Sequence, residues 1–234
     1  MAATPRFKPV RARRTVQDQV YDQLREALVS GAFEAGEGFT IPALSEKFMT
    51  SHMPIREALR RLAAENALRI SSTGTAVVPA LDVKELGHIC QARLILEPAV
   101  AEMAFANLTA EDIAEMRANL EAHRATGETG DVVTMLAANR AFHFLIYRAS
   151  GNPVLVSQIE NLWLRSGAYV RFLSDRMREL LRTSYKVGYT LHHDEMLAAH
   201  EAGDSAAFRD AMHRDVQETH DLLFKFLKED DRAG

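Results

Sequence analysis

The stretch Thr50-Ser-His-Met-Pro-Ile-Arg-Glu-Ala-Leu-Arg-Arg-Leu62 decides the fold. Ile55, Leu59 and Leu62 recur at helical spacing and define one apolar face. Arg56 and Arg60 stand one turn apart on a different face. Ser51 occupies the place of an N-cap, and Pro54 falls in the first turn, where a missing N–H costs nothing. The stretch therefore predicts a short helix with a dipole-positive start, small polar groups and arginines. That combination suits phosphate and base-edge contacts.

The neighbouring segments complete a unit. Val16, Val20, Leu24 and Leu28 repeat every four residues, so 15–30 reads as an amphipathic helix ending near Gly31. A turn-rich stretch runs from Gly31 to Gly38. Thr40 opens a second short helix with Leu44 and Phe48 inward, and the connection from Phe48 to Ser51 is as tight as a helix-turn-helix requires. Two β-prone runs, Ala67-Leu-Arg-Ile70 and Ala76-Val-Val78, flank Ser71-Ser-Thr-Gly-Thr75 and read as a hairpin. Three helices and a hairpin make a winged helix-turn-helix over 15–80. Its expected DNA-contacting residues are Ser51, His52, Met53, Pro54, Arg56 and Arg60, with Thr73 and Gly74 at the wing.

Residues 15–79 resemble the DNA-binding domain of the GntR family of bacterial transcription regulators. The resemblance rests on the helix around Val20–Gly31, Leu44-Ser-Glu-Lys-Phe48, Pro54-Ile-Arg-Glu-Ala-Leu59 and Gly74. The family usually has Ser-Arg-Thr-Pro before the recognition helix. Here Ser51-His-Met-Pro54 puts His52 and Met53 in place of an arginine and a threonine that face DNA, so the family's operator preference does not transfer.

Charge is divided unevenly along the chain. Residues 1–80 carry 11 Lys and Arg against 8 Asp and Glu, whereas 81–234 carry 17 against 24. The basic part is the one with the helix-turn-helix, as phosphate binding requires. Arg6, Lys8, Arg11, Arg13 and Arg14 lie in a run without apolar periodicity. Residues 1–14 read either as a basic arm that touches DNA or as a solvated tail. No signal peptide or membrane-length apolar run is evident, and the lone Cys90 excludes an internal disulfide, so a cytoplasmic location is expected. Cys90 reads as core, with a redox role as the alternative.

After Pro79 the pattern becomes all-α. Six helices are expected over 82–107, 109–126, 130–150, 152–174, 177–202 and 204–228, with Gly188 as an alternative start for the fifth. A helical domain over 81–230 is large enough to enclose a pocket. Asn139 and His143 are four apart and share one helix face; His193 and Asp215 come from the next helices. Converging in a bundle, these four make a divalent-metal site, with a polar cavity without metal as the alternative.

Residues 82–228 resemble the C-terminal sensor domain of the FadR subfamily within GntR, through Arg93-Leu-Ile-Leu-Glu97, Asn139-Arg-Ala-Phe-His143, Ser150-Gly-Asn-Pro153 and His193 ahead of Gly203-Asp204. In many members an Asp and three His bind one metal. Here the Asp position is Asn139, two His positions are His143 and His193, and the third is Asp215. The resemblance implies a zinc, manganese or nickel site. It also implies a small organic-acid effector met by Arg93; an ion pair with Glu97 at i+4 is the alternative, and the two are compatible if the effector replaces Glu97. His192, His200, His213 and His220 are read as surface or supporting groups. Arg140, Tyr147, Arg165 and Tyr169 are lesser candidates for the cavity wall.

The sequence thus predicts a homodimeric regulator, not an enzyme, with two recognition helices roughly 34 Å apart on a pseudo-palindromic operator. Repression relieved by effector follows from family habit. Two alternatives stand beside it. One is a metal-free regulator responding to acyl-CoA. The other is an HD-type metal phosphohydrolase, suggested by the order His143, His193-Asp194, Asp215.

Overall fold

The first helix, α1 (Val16–Val29), starts on a capping box. Thr15 Oγ1 accepts from the Asp18 N–H at 3.2 Å, and the Asp18 carboxylate accepts from the Thr15 N–H at 3.0 Å. The computed structural model describes residues 15–71, 74–183 and 188–233. Next come β1 (Gly38–Phe39), α2 (Ile41–Lys47), α3 (His52–Ala64), β2 (Arg69–Ile70) and β3 (Ala76–Val77). Val20, Leu24 and Leu28 meet Leu44 of α2 and Ile55, Leu59 and Leu62 of α3 in one apolar cluster. The face predicted from spacing is therefore the buried face of the recognition helix.

The wing is a three-stranded antiparallel sheet in the order β1-β3-β2, with Phe39 and Ile70 both opposite Ala76. The sequence predicts only the β2–β3 hairpin. β1 is two residues long within a Gly-rich turn, too short to show an alternating pattern.

The rest is helical: α4 (Val83–Ala104), a 3₁₀ turn (Phe105–Asn107), α5 (Ala110–Thr129), α6 (Val132–Ala149), α7 (Pro153–Arg165), α8 (Gly167–Leu180), α9 (Leu191–Glu201) and α10 (Ser205–Ala233). α4 packs along α10 and against α6 and α7. Among the described residues no helix is long and apolar enough to cross a membrane.

Two expected helices are corrected. The span 152–174 divides at Ser166, which ends α7 and precedes α8. The span 177–202 is not one helix: α8 ends at Leu180 and α9 begins at Leu191.

Gly167 sits just past the first break. A Cβ there would overlap the Leu28 carbonyl oxygen, so only glycine lets the end of α1 rest on this junction. Leu164 and Ala168 also join the apolar cluster of the N-terminal three-helix unit, the head. Polar bridges add to the seam. Arg25 pairs with Glu160 at 3.4 Å, and the Asn161 side-chain amide donates to the Glu65 carbonyl at 3.1 Å.

Candidate functional site

The start of α3 is an open surface. Ser51, His52, Met53, Arg56 and Arg60 are exposed, and Pro54 is half-buried. Ser51 has the backbone of an N-cap, but its side chain makes no capping hydrogen bond, which corrects the expectation that it caps the helix. Arg60 reaches Glu57 only at 3.7 Å with most of its side chain in water. Gly74 has φ +80° and open space around it, as a wing tip needs. Thr73 lies outside the described residues.

A second site forms where α6, α9 and α10 converge. His143 Nε2 lies 3.2 Å from His193 Nε2 and 3.1 Å from Asp215 Oδ2; His193 Nε2 is 3.8 Å from Asp215 Oδ1. Both imidazoles are about 1% exposed. Burial drives the His193 pKa down to about 4, so its ring is neutral near pH 7. Burial alone would raise the Asp215 pKa, but attraction to the protonated forms of His193 and His143 and a hydrogen bond from His143 bring it well below the usual carboxylate range. Asn139, one turn before His143, lines the adjoining cavity.

The protonation of His143 follows from the groups behind it. Glu97 is fully buried and accepts from Arg93 Nε at 2.6 Å, Trp163 Nε1 at 3.0 Å and the Tyr147 hydroxyl at 2.6 Å. The Tyr147 oxygen also lies 3.2 Å from His143 Nδ1. Tyr147 has one proton and gives it to Glu97, so His143 must donate from Nδ1. Its Nε2 then presents a lone pair to Asp215 and His193 unless the ring is doubly protonated. A carboxylate and imidazole lone pairs at this spacing call for a cation among them, either a proton or a metal.

Two imidazole nitrogens and one carboxylate oxygen, all within 4.8 Å of one another, form a donor set that fits zinc, manganese or nickel. Supporting the fit, His143 is oriented through its second nitrogen, as metal-binding histidines generally are. His193 Nδ1 is buried with no hydrogen-bond partner among the described residues.

The cluster borders a cavity of about 280 Å³. Arg93, Asn139, Arg140, His143, Asp215 and His220 supply its polar wall, while Leu86, Ile89, Leu136, Leu173 and Leu223 supply apolar wall. Three lining residues, Glu26, Val29 and Ser30, belong to the head, at α1 and the residue that follows it. Tyr169 also lines the cavity; Tyr147 instead lies behind His143.

Several expectations change with this geometry. Arg93 is held by Glu97 and stacked over the Trp163 ring at 4.8 Å, so its charge is already matched. His220 faces the cavity rather than the surface. Both its ring nitrogens are buried without a hydrogen bond among the described residues, although Asp221 Oδ1 is 3.5 Å from Nδ1. Asp194, which a phosphohydrolase site would need beside His193, is instead engaged by Arg124 at 2.7 Å. Trp163 and His123, whose ring packs edge-on against His193, are supporting residues that the sequence reading misses, as are the bonds of Glu97 to Tyr147 and Trp163. The i, i+4 spacing of Arg93 and Glu97, and of His143 and Tyr147, is the signal that finds part of this chain.

A winged helix-turn-helix seated on a separate helical domain defines a DNA-binding transcriptional regulator. Residues 16–78 match the bacterial regulatory proteins of the gntR family, residues 88–218 match the FCD domain, and the chain belongs to the GntR family with this FadR-type C-terminal domain. It is 31% identical to the HTH-type transcriptional regulator McbR of Escherichia coli (strain K12), over 88% of this chain and 92% of that protein. It is 26% identical to the gluconate operon transcriptional repressor of Bacillus subtilis (strain 168), over 86% of this chain and 82% of that one. The solved structure of E. coli McbR/YncC superposes with a TM-score of 0.83 at 30% identity, covering 91% of this chain and 99% of the other.

Proposed function

We propose that this regulator is a homodimeric repressor whose operator affinity is set by a small organic acid in the helical domain. Residues 15–80 form the DNA-binding unit, and 81–230 the effector-binding and dimerisation unit. Ser51, His52, Met53, Pro54, Arg56, Arg60, Thr73 and Gly74 contact a pseudo-palindromic operator. Arginines supply charge and base-edge donors, while the α3 N-terminus favours phosphate. Asn139, His143, His193 and Asp215 hold one divalent ion. Such an ion would supply Lewis acidity toward an acid's carboxylate. Tyr147 and Glu97 orient His143, and the apolar wall receives the rest of the acid. A coupling of about 1–3 kcal/mol between cavity and head changes operator occupancy roughly 5–150-fold.

The observation that carries this reading is the convergence of His143, His193 and Asp215 within 4.8 Å beside a cavity that also touches the DNA-binding head. The deciding experiment is the metal content of untagged protein purified without added metal or chelator. About one equivalent per chain, lost in His143→Ala and His193→Ala, supports a metal-dependent acid sensor. No metal after incubation with zinc, manganese and nickel refutes the metal role.

A further inference from the structure

The cavity wall contains two guanidinium groups, and they are not equivalent. Arg93 is committed to a buried carboxylate through two hydrogen bonds, to Glu97 Oε1 at 2.6 Å and Oε2 at 3.2 Å. An incoming anion would have to strip it from Glu97 and leave that carboxylate short of a donor. Arg140, on α6 one residue past Asn139, is held differently. Its Nη1 reaches Glu26 Oε2 at 3.1 Å, and its Nη2 pairs with Glu26 Oε1. Glu26 is on α1 of the head, and its side chain is 60% exposed, so water competes readily for it.

Arg140 also sits at a boundary. It lines the 280 Å³ cavity on one side and a cleft of about 220 Å³ between head and helical domain on the other. Glu26 lines both as well. The Arg140–Glu26 pair is therefore a polar tie across the seam and, at the same time, part of the ligand cavity. An anion that binds Arg140 draws on the charge that holds α1. Most of the apolar lining is aliphatic, from Leu86, Ile89, Leu136, Leu173 and Leu223, with Trp163 and Tyr169 beside it, so an anion that carries an alkyl chain fits this wall. The cavity volume suits an acid of modest size, not a coenzyme A thioester.

We propose that Arg140 is the anion-binding group of this cavity, and that an aliphatic carboxylate takes it from Glu26, loosening the DNA-binding head from the helical domain. This rests on the reading of the cavity as an acid-sensing site.

The test uses the full chain as purified, with hexanoate as probe and hexanol as its neutral twin. Binding is followed by calorimetry, and backbone hydrogen exchange is followed across 16–30. Hexanoate, but not hexanol, should speed exchange in α1 about two- to fivefold, the scale of an exposed ion pair. Arg140→Gln should weaken hexanoate at least about tenfold, as loss of a charged hydrogen-bond donor does. Glu26→Gln should speed α1 exchange without ligand and leave hexanoate binding intact or tighter. Exchanging the two charges, Glu26→Arg with Arg140→Glu, should restore slow exchange.

Equal hexanoate affinity in Arg140→Gln, or unchanged α1 exchange in Glu26→Gln, overturns the proposal. So does a failure of every straight-chain acid from acetate to decanoate to bind at millimolar concentration. His193→Ala separates the two levels. Binding lost there but kept in Arg140→Gln leaves the metal-dependent acid sensor standing and removes the role of Arg140. The reverse pattern keeps Arg140 and removes the metal.

Discussion

The Tyr147 oxygen lies 3.2 Å from Nδ1 of His143 on the same helix face, and because its own proton goes to Glu97 at 2.6 Å, the imidazole is the donor. This contact fixes which imidazole nitrogen faces Asp215. Tyr147→Phe should orphan a buried N–H and remove a donor from Glu97, costing about 1–3 kcal/mol in urea unfolding. Metal affinity should fall by about 10–100-fold in a competition titration. Unchanged stability and unchanged metal affinity together would show that the contact orients nothing.

Gly167→Ala tests the seam between head and helical domain. The new methyl meets the Leu28 carbonyl oxygen, a backbone atom that cannot swing aside. Destabilisation of about 1–3 kcal/mol is expected. Protease cleavage near residue 80 should quicken, because α1 no longer seats. A variant as stable as the parent would mean that α1 shifts at little cost.

Arg56→Ala and Arg60→Ala should weaken DNA binding and leave unfolding within about 0.5 kcal/mol of the parent, since both side chains are exposed. Loss of a phosphate contact weakens all sequences alike and lowers the salt slope by about one. Loss of a base contact costs about 1–3 kcal/mol at one operator position. Titration of operator and scrambled DNA across salt concentrations distinguishes the two. Unaltered affinity for both DNAs would remove that arginine from the interface.

Acid sensitivity should trace in part to His123. Burial, helped by the neighbouring His193, brings its pKa down to about 3. An unfolded histidine titrates near 6.5, so between these values the unfolded chain binds a proton that the folded chain refuses. The stability contribution is complete above about pH 6.5 and declines as pH falls toward 3. Metal-free protein should lose about 1.4 kcal/mol per pH unit from this residue between roughly pH 6 and 4. His123→Leu should flatten the urea-measured slope by that amount; an identical slope would show that His123 titrates normally in the fold.

The head was legible because its helices carry strong local signals: regular spacing in α1, Thr40 at the start of α2, and Pro54 within the first turn of α3. The ends of the 152–202 region were not. Ser166 and Gly167 are ordinary in a helical sequence, and the close approach of α1, far away in the chain, to Gly167 leaves no local signal. At the candidate site, His143, His193 and Asp215 emerged from spacing and resemblance, and the fold brings them together. Glu97 remained hidden in its main role, since spacing pairs it with Arg93 but is silent on Tyr147 and Trp163, 50 and 66 residues away. Glu26 was invisible for the same reason: nothing local to α1 announces a partner on α6.

The three cavity-lining residues supplied by α1 and its end carry a consequence for modularity. The helical domain is not a cassette to be cut out near residue 80 and fused to a foreign head. Without Glu26, Val29 and Ser30 one side of its chamber is missing, and a donor helix of other sequence would rebuild that wall with a different shape and charge. Chimeras that carry α1 along with the helical domain should keep the parent's ligand preference, whereas those joined after the wing inherit a preference written partly by the new head.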